Sequence, residues 1–288
     1  MNTRAIAVSL VTASILAGCA AGERRVTTIE RRWPASAIRT IEVDGVDGNV
    51  SVDAGSANEI TLVAHVTSRG IEPQQRADNQ GYFETDMSGD TLYIAQQRRR
   101  NLGLSSLFAR ERLSIDYELR VPPSVALNLK MVNGRIASRG VDGATEAKTI
   151  NGTIDLETAG TTEISATTVN GSVHAKFLKD FRGARLKSVN GTVRALLPPT
   201  ASFTCDLSQV NGDFEASFPL SIHSNPGSRR VSGQVNGGQF ELQITTVNGD
   251  VEVQHLTAPR APAAPPVPPA TPAQPAPVTS TSAPVSGF

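Results

Sequence analysis

Val132-Asn133-Gly134-Arg135-Ile136, Ile150-Asn151-Gly152-Thr153-Ile154 and Val169-Asn170-Gly171-Ser172-Val173 share one pattern: an aliphatic residue, Asn-Gly, a spacer and a second aliphatic. Asn-Gly returns at Asn190, Asn211, Asn236 and Asn248, and the first five copies lie 18, 19, 20 and 21 residues apart. Self-similarity at a near-fixed period is the signature of a repeat fold. Four residues before each Asn stand Leu129, Ala147, Ala166, Leu186, Leu207 and Ile244, and three after it Ile136, Ile154, Val173, Val193, Phe214 and Val251. Asp47-Gly48 fits the same template, with Val43 before it and Val50 and Val52 after. Asn236 does not, because Gln239 takes an apolar slot.

Within each copy the apolar period is two, so the segments are strands with one buried face. Asp47, Asn133, Asn151, Asn170, Asn190, Asn211 and Asn248 are then structural turns, since Asn-Gly tolerates a positive φ. Two all-β architectures are open. A two-residue Asn-Gly loop is a strong hairpin signal and points to an antiparallel meander. A hairpin, however, turns the residue just before Asn away from the core, and that residue is aliphatic in every in-register copy. A β-solenoid, in which each Asn-Gly is a corner and successive coils stack at about 4.8 Å, is favoured. It carries the expectation that Val132, Ile150, Val169, Val189, Val210 and Val247 form one internal column. The polar residues before them (Thr149, Thr168, Ser188, Gln209, Thr246) would lie outside.

The repeat coils occupy 122–257. Upstream, Ile60 to Val66 and Ser114 to Val121 alternate, and Tyr82 to Met87, Ser88-Gly89-Asp90 and Thr91 to Ile94 read as an inserted hairpin. Pro122-Pro123 ends the strand before it, and no stretch carries helical periodicity. Repeated Val-Asn-Gly, a Val-Pro-Pro strand exit and a preceding insertion resemble the bacterial putative-adhesin domain family over roughly 34–257. That resemblance implies a β-solenoid, a cell-envelope location, no catalytic residue set and no cofactor.

Arg4 followed by the apolar Ala5 to Ala17 has the order of a secretory signal, and is too short to span a bilayer as a helix. Leu16-Ala17-Gly18-Cys19 resembles the lipobox of bacterial lipoproteins. It implies a signal peptide at 1–18, acylation of Cys19 and a lipidated linker at 19–33. Ala20, where an inner-membrane retention signal would place Asp, favours the outer membrane, facing the periplasm or the cell surface. At the other end, 258–288 is rich in Pro and Ala with one charge, Arg260, a composition expected to stay disordered.

Twenty-seven basic and 27 acidic residues give no net charge, which argues against a nucleic-acid partner. Four residues after successive Asn come Asp155, His174, Arg194 and Glu215, expected to form an outward ladder of alternating charge. Asp213, Glu215, Asp250 and Glu252 would extend it as acidic rungs. Arg98, Arg99, Arg100, Arg110 and Arg112 surround Leu102, Leu104, Leu107 and Phe108, a pattern suited to an anionic membrane or lipopolysaccharide surface. Cys205 stands where other copies carry Leu, Ile or Ala and is expected to be a buried thiol. His65, His174, His223 and His255 have no metal-ligand spacing, and Asp44, Asp47, Asn49 and Asp53 lack that of a calcium loop. No catalytic motif is present.

These readings converge on a non-enzymatic, lipid-anchored envelope protein presenting a repetitive surface. Its partners would be the membrane, through the anchor, and a glycan, lipopolysaccharide, peptidoglycan or another envelope protein. A component of envelope-stress signalling or membrane homeostasis is the alternative. A polysaccharide-acting enzyme is the weakest, since its carboxylates would need a cleft.

Overall fold

The computed structural model describes residues 8–12, 24–69, 82–96, 112–225 and 228–256. Among them there is no α-helix, and one 3-10 turn, Ala35–Ala37. The strands are β1 (Val8–Thr12), β2 (Arg24–Pro34), β3 (Thr40–Asp44), β4 (Val50–Ala54), β5 (Glu59–Arg69), β6 (Phe83–Ser88), β7 (Thr91–Gln96) and β8 (Arg112–Val121). The repeat region holds β9 (Ala126–Asn133), β10 (Ile136–Arg139), β11 (Thr145–Asn151), β12 (Ile154–Thr158), β13 (Ile164–Asn170), β14 (Val173–Phe177), β15 (Ala184–Asn190) and β16 (Val193–Leu197). It closes with β17 (Phe203–Asn211), β18 (Phe214–Ala216), β19 (Ser221–Asn225), β20 (Ser228–Val235), β21 (Phe240–Asn248) and β22 (Val251–His255).

Two 11-stranded sheets face each other. Each in-register Asn-Gly carries the chain from a strand of one sheet to a strand of the other, and equivalent strands of neighbouring coils run parallel, as Ile154↔Val173 and Asn151↔Asn170 show. The chain winds, so the solenoid holds and the meander does not. The inserted hairpin is β6–β7, closed by Ser88↔Thr91.

Inside and outside are inverted on one side of the corner. Ile150, Val169, Val189, Val210 and Val247 are 38 to 47 % exposed, while Thr149, Thr168, Ser188, Gln209 and Thr246 are buried. The expected internal column is therefore an external one. The reason lies in the backbone of the adjacent coil. At the corner the Gly carbonyl leaves the sheet ladder, and a buried acceptor without a partner costs about 1–3 kcal/mol. The residue two before the next Asn supplies the donor: Thr168 Oγ1 to Gly152 O at 3.0 Å, Ser188 Oγ to Gly171 O at 2.9 Å, Gln209 Nε2 to Gly249 O at 2.8 Å. At these coils a polar side chain serves inside, while the Thr246 hydroxyl is buried without a partner among the described residues, and parity puts the aliphatic residue after each of them outside.

The corner also dictates glycine. Gly171 has φ +153°, and a Cβ there would lie 1.9 Å from Gly152 O. Its N–H donates to Asn190 O at 2.9 Å, holding consecutive corners in contact. Beside this backbone column runs a ladder of side-chain amides. Asn133 donates to Asp47 Oδ1, Asn151 to Asn133, Asn170 to Asn151, Asn190 to Asn170, Asn248 to Asn190 and Asn211 to Asn248, all at 2.7–3.0 Å. Each Asn from Asn133 to Asn248 in the stack both gives and accepts, with Asp47, an acceptor only, at one end and Asn211, which gives, at the other.

That ladder records a second departure from expectation. Coils do not stack in chain order at the ends. β21–β22 lies between β15–β16 and β17–β18, so Asn248 separates Asn190 from Asn211. The chain leaves one coil position open, forms the last rung, runs out through the antiparallel pair β19–β20 on the edge, and returns to fill the gap. Asn236, with φ +48°, lies in the return turn and its amide donates to Pro199 O and Ala201 O, in keeping with its failure to fit the repeat. The other end mirrors this. β3–β4 lies between β7–β8 and β9–β10, and β5, β2 and β1 extend one sheet antiparallel beyond β8. β1 falls inside the apolar segment read as a signal.

Ile136, Ile154, Val173, Val193 and Val251 stack as one column in the core, and no side chain in it is more than 0 % exposed. Phe177, Phe181, Phe203 and Phe218 continue the core as edge-to-face contacts 4.9 to 5.7 Å apart, closing the C-terminal end.

Candidate functional site

The outer face of the sheet containing β10, β12, β14 and β16 bears a shallow groove of about 300 Å³ lined by Arg135, Arg139, Asp155, Glu157, His174, Lys176, Arg194 and Leu196. Asp155, His174 and Arg194 are brought together on consecutive rungs, as the repeat register requires. Arg135 Nε donates to Asp155 Oδ2 at 2.6 Å, and His174 Nδ1 lies 2.8 Å from Asp155 Oδ1. Arg194 is paired with Glu252 at 2.6 Å, not with Glu215. Glu215 stands one rung further out, opposite Glu252, because the last coil is inserted between them. The ladder therefore ends on two like charges instead of alternating to its end. The acidic rungs do adjoin one another: Asp213 N–H donates to Asp250 Oδ1 at 2.9 Å.

Two residues further along the strands runs a second ladder, absent from the sequence reading. It is Arg120, Asp53, Arg139, Glu157 and Lys176, alternating in sign across five strands. Lys176 Nζ is 3.0 Å from Glu157 Oε2 and Arg139 Nη1 is 3.7 Å from Asp53 Oδ1. Its signal was available in the same alignment six positions after Asn. These pairs are half-exposed and contribute roughly 0–1 kcal/mol each. In the groove the cations Arg135, Arg139, Lys176 and Arg194 outnumber the carboxylates Asp155 and Glu157. Each cation is nevertheless paired, Arg135 with Asp155, Lys176 with Glu157, Arg139 with Asp53 and Arg194 with Glu252, so the groove is a lattice of ion pairs.

The opposite side of the corner carries the exposed aliphatics. In stacking order Val132, Ile150, Val169, Val189, Val247 and Val210 follow one another beside the Asn ladder, with Val132 half-buried and the others open to solvent. Contiguous exposed apolar surface of this kind marks an interaction site more often than a structural need.

Cys205 is 1 % exposed, and burial, with Asp206 second, pushes its thiol up to about 12. It packs as a small hydrophobe. Among the described residues no group of three or more His, Cys, Asp or Glu is placed to hold a metal ion. No helix among them is long and apolar enough to cross a membrane. Cys19, Arg98, Arg99, Arg100 and Arg110 lie outside the described residues, and Arg112 is described only as the first residue of β8.

No curated protein matches the chain. Among solved structures it is similar to a putative cell adhesion protein from Clostridium sporogenes, with 9% identity, a TM-score of 0.36, and 82% of this chain and 100% of that one covered. A putative adhesin from Bacteroides fragilis shows 12% identity and a TM-score of 0.29, covering 80% of this chain and 97% of that one. A putative lipid binding protein from Parabacteroides distasonis shows 10% identity and a TM-score of 0.26 at the same coverage of 80% and 97%. The family model described as Toastrack DUF4097 matches residues 21–254, so the parallel two-sheet solenoid with Asn-Gly corners belongs to the Toastrack DUF4097 family.

Proposed function

We propose that the chain is a non-enzymatic, lipid-anchored cell-envelope protein, held in the outer membrane through Cys19, that binds an extended envelope partner along its corner. The observation that carries this reading is the exposed column Ile150, Val169, Val189, Val247 and Val210, 38 to 47 % exposed on five adjacent coils. Thr149, Thr168, Ser188 and Gln209, one residue earlier, each reach a corner carbonyl, so folding there does not require an aliphatic residue outside. Beside it the Asn ladder offers polar atoms at the same spacing. Such a surface suits a repetitive glycan or an elongated protein, because shallow contacts repeated along a rigid array add up without a pocket.

Replacing Ile150, Val169 and Val189 by Ser in the full chain tests this. Binding to peptidoglycan sacculi and to intact cells is expected to fall by roughly tenfold or more, since three adjoining apolar contacts are lost. The melting temperature should change little. Unchanged binding to both would overturn the proposal.

A further inference from the structure

The stack of Asn-Gly corners has an end, and its last corner is held differently from the rest. Gly48, Gly134, Gly152, Gly171, Gly191 and Gly249 each donate their N–H to the backbone carbonyl of the Asn on the next rung, at 2.9–3.1 Å. Gly212 has no rung beyond it, and its N–H meets no acceptor among the described residues. The side chains follow the same rule. Asn133, Asn151, Asn170, Asn190 and Asn248 are each clamped by one bond given and one accepted. Asn211 gives one to Asn248, and its Oδ1 accepts none among the described residues. The six inner glycines are half-buried, whereas Gly212 is exposed.

In an Asn-Gly pair the glycine nitrogen can attack the preceding side chain, because no Cβ blocks the approach. The nitrogen must lose its proton and close on the Asn Cγ. A hydrogen-bonded N–H opposes the first step, and a carboxamide pinned at both ends opposes the second. The five inner Asn corners must therefore open locally before they can react. At Asn211 neither restraint is complete. Arg229 adds a third feature: its Nη1 donates to Gly212 O at 3.1 Å and to Gln209 Oε1 at 3.2 Å, and it forms no ion pair among the described residues. A cation at this corner favours negative charge on the Gly212 nitrogen and on a carboxylate formed at position 211.

We infer that Asn211 is a site of self-modification, at which the folded protein deamidates in preference to its other Asn-Gly pairs. The Gly212 nitrogen bonds to the Asn211 Cγ, the carboxamide C–N bond breaks, and the amide proton leaves with the NH2 group as ammonia. Water then adds to the cyclic imide and opens it at either carbonyl, giving aspartate or isoaspartate; water is the only co-reactant. Neither product can give the hydrogen bond that Asn211 gives to Asn248 Oδ1. In isoaspartate the backbone carbonyl that receives Gly249 N–H becomes a free carboxylate, and the chain is lengthened at the corner. The ladder thus opens from its C-terminal end, and a negative charge arises beside Val210, the last residue of the exposed aliphatic column. The inference does not depend on what that column binds.

The test stores the full chain in mildly alkaline buffer and follows every Asn-Gly peptide by mass spectrometry, with fragmentation that separates isoaspartate from aspartate. Circular dichroism on the same sample reports that the chain stays folded. Conversion at Asn211 is expected to outpace that at Asn133, Asn151, Asn170, Asn190 and Asn248 by on the order of tenfold or more, since those corners react only from opened states. It should also lead Asn236, whose Nδ2 is held by Pro199 O and Ala201 O. In denaturant the rates should converge, and Asn211→Gln should leave its own peptide unchanged. A folded protein in which an inner corner or Asn236 leads, or in which Asn211 stays intact while the denatured chain reacts, overturns the inference. So does an Asn211 lead that persists undiminished in denaturant, which would assign the preference to local sequence and not to the end of the ladder.

Discussion

Arg194 Nε donates to Glu252 Oε2 at 2.7 Å across a sequence separation of 58 residues, while Glu215, closer in the chain, sits beyond Glu252 and does not reach it. The pair makes coil order measurable. In a double-mutant cycle, Arg194 and Glu252 should couple by roughly 0.2–1 kcal/mol, with Arg194→Glu rescued by Glu252→Arg. Arg194 and Glu215 should show coupling near zero. The same coupling for both pairs, read by denaturant unfolding at low salt, would contradict the inserted coil.

The inverted strand face gives an opposed pair of substitutions. Thr168→Val leaves Gly152 O without its donor and should cost about 1–2 kcal/mol. Val169→Thr, one residue later and in solvent, should stay within about 0.5 kcal/mol of wild type. Chemical denaturation midpoints compare them directly. If Val169→Thr proved the costlier of the two, the assignment of inside and outside would be wrong.

Corner glycines should differ sharply from a turn glycine. Gly171→Ala drives a methyl against Gly152 O at 1.9 Å and strains a φ of +153°, so a loss of about 3 kcal/mol or more is expected. Gly89, in the β6–β7 turn, has φ +63° and nothing within 4 Å of an added Cβ. Gly89→Ala should cost about 1 kcal/mol from backbone strain alone. Thermal melts of the two variants rank them.

Stability should decline in alkali. The Cys205 thiol is raised to about 12 by burial, and the Tyr117 phenol is raised by burial and then by Asp44. Both are neutral acids when folded, and the unfolded chain gives up their protons first. Their contribution is therefore intact below the ordinary thiol value of 9.0 and lost as pH rises from there toward about 12. Tyr117→Phe should remove part of this decline. It should also gain up to about 1 kcal/mol at neutral pH, because the Tyr117 hydroxyl is buried without a hydrogen-bond partner among the described residues. In the acylated protein Cys205 should resist thiol reagents until denaturant is added. An alkaline decline identical in the Cys205→Ala/Tyr117→Phe variant would refute the assignment.

The corners at Asn133, Asn151, Asn170 and Asn190 were legible because glycine, a two-residue apolar period and a near-constant spacing all act locally. The Asp155–His174–Arg194 rungs followed from that register. The Asp53–Arg139–Glu157–Lys176 ladder was equally written in the alignment. What misled was hydropathy at the corner. Thr168 reads as a surface residue and Val169 as a core one until the Gly152 carbonyl of the neighbouring coil is in place.

By itself the sequence determined that the chain is a repeat of like strands turned at Asn-Gly, because each copy carries the same strand period and the same corner, and it left parallel coils and an antiparallel meander both open. Only the tertiary structure decided which copies are neighbours and which side of the corner is dry. Near-identical coils present near-identical edges, so Asn190 can stack on Asn211 or on Asn248 with the same hydrogen bonds. The choice falls to the β19–β20 excursion that occupies the outer edge and sends the last coil back into the gap, a contact between distant segments with no local signature.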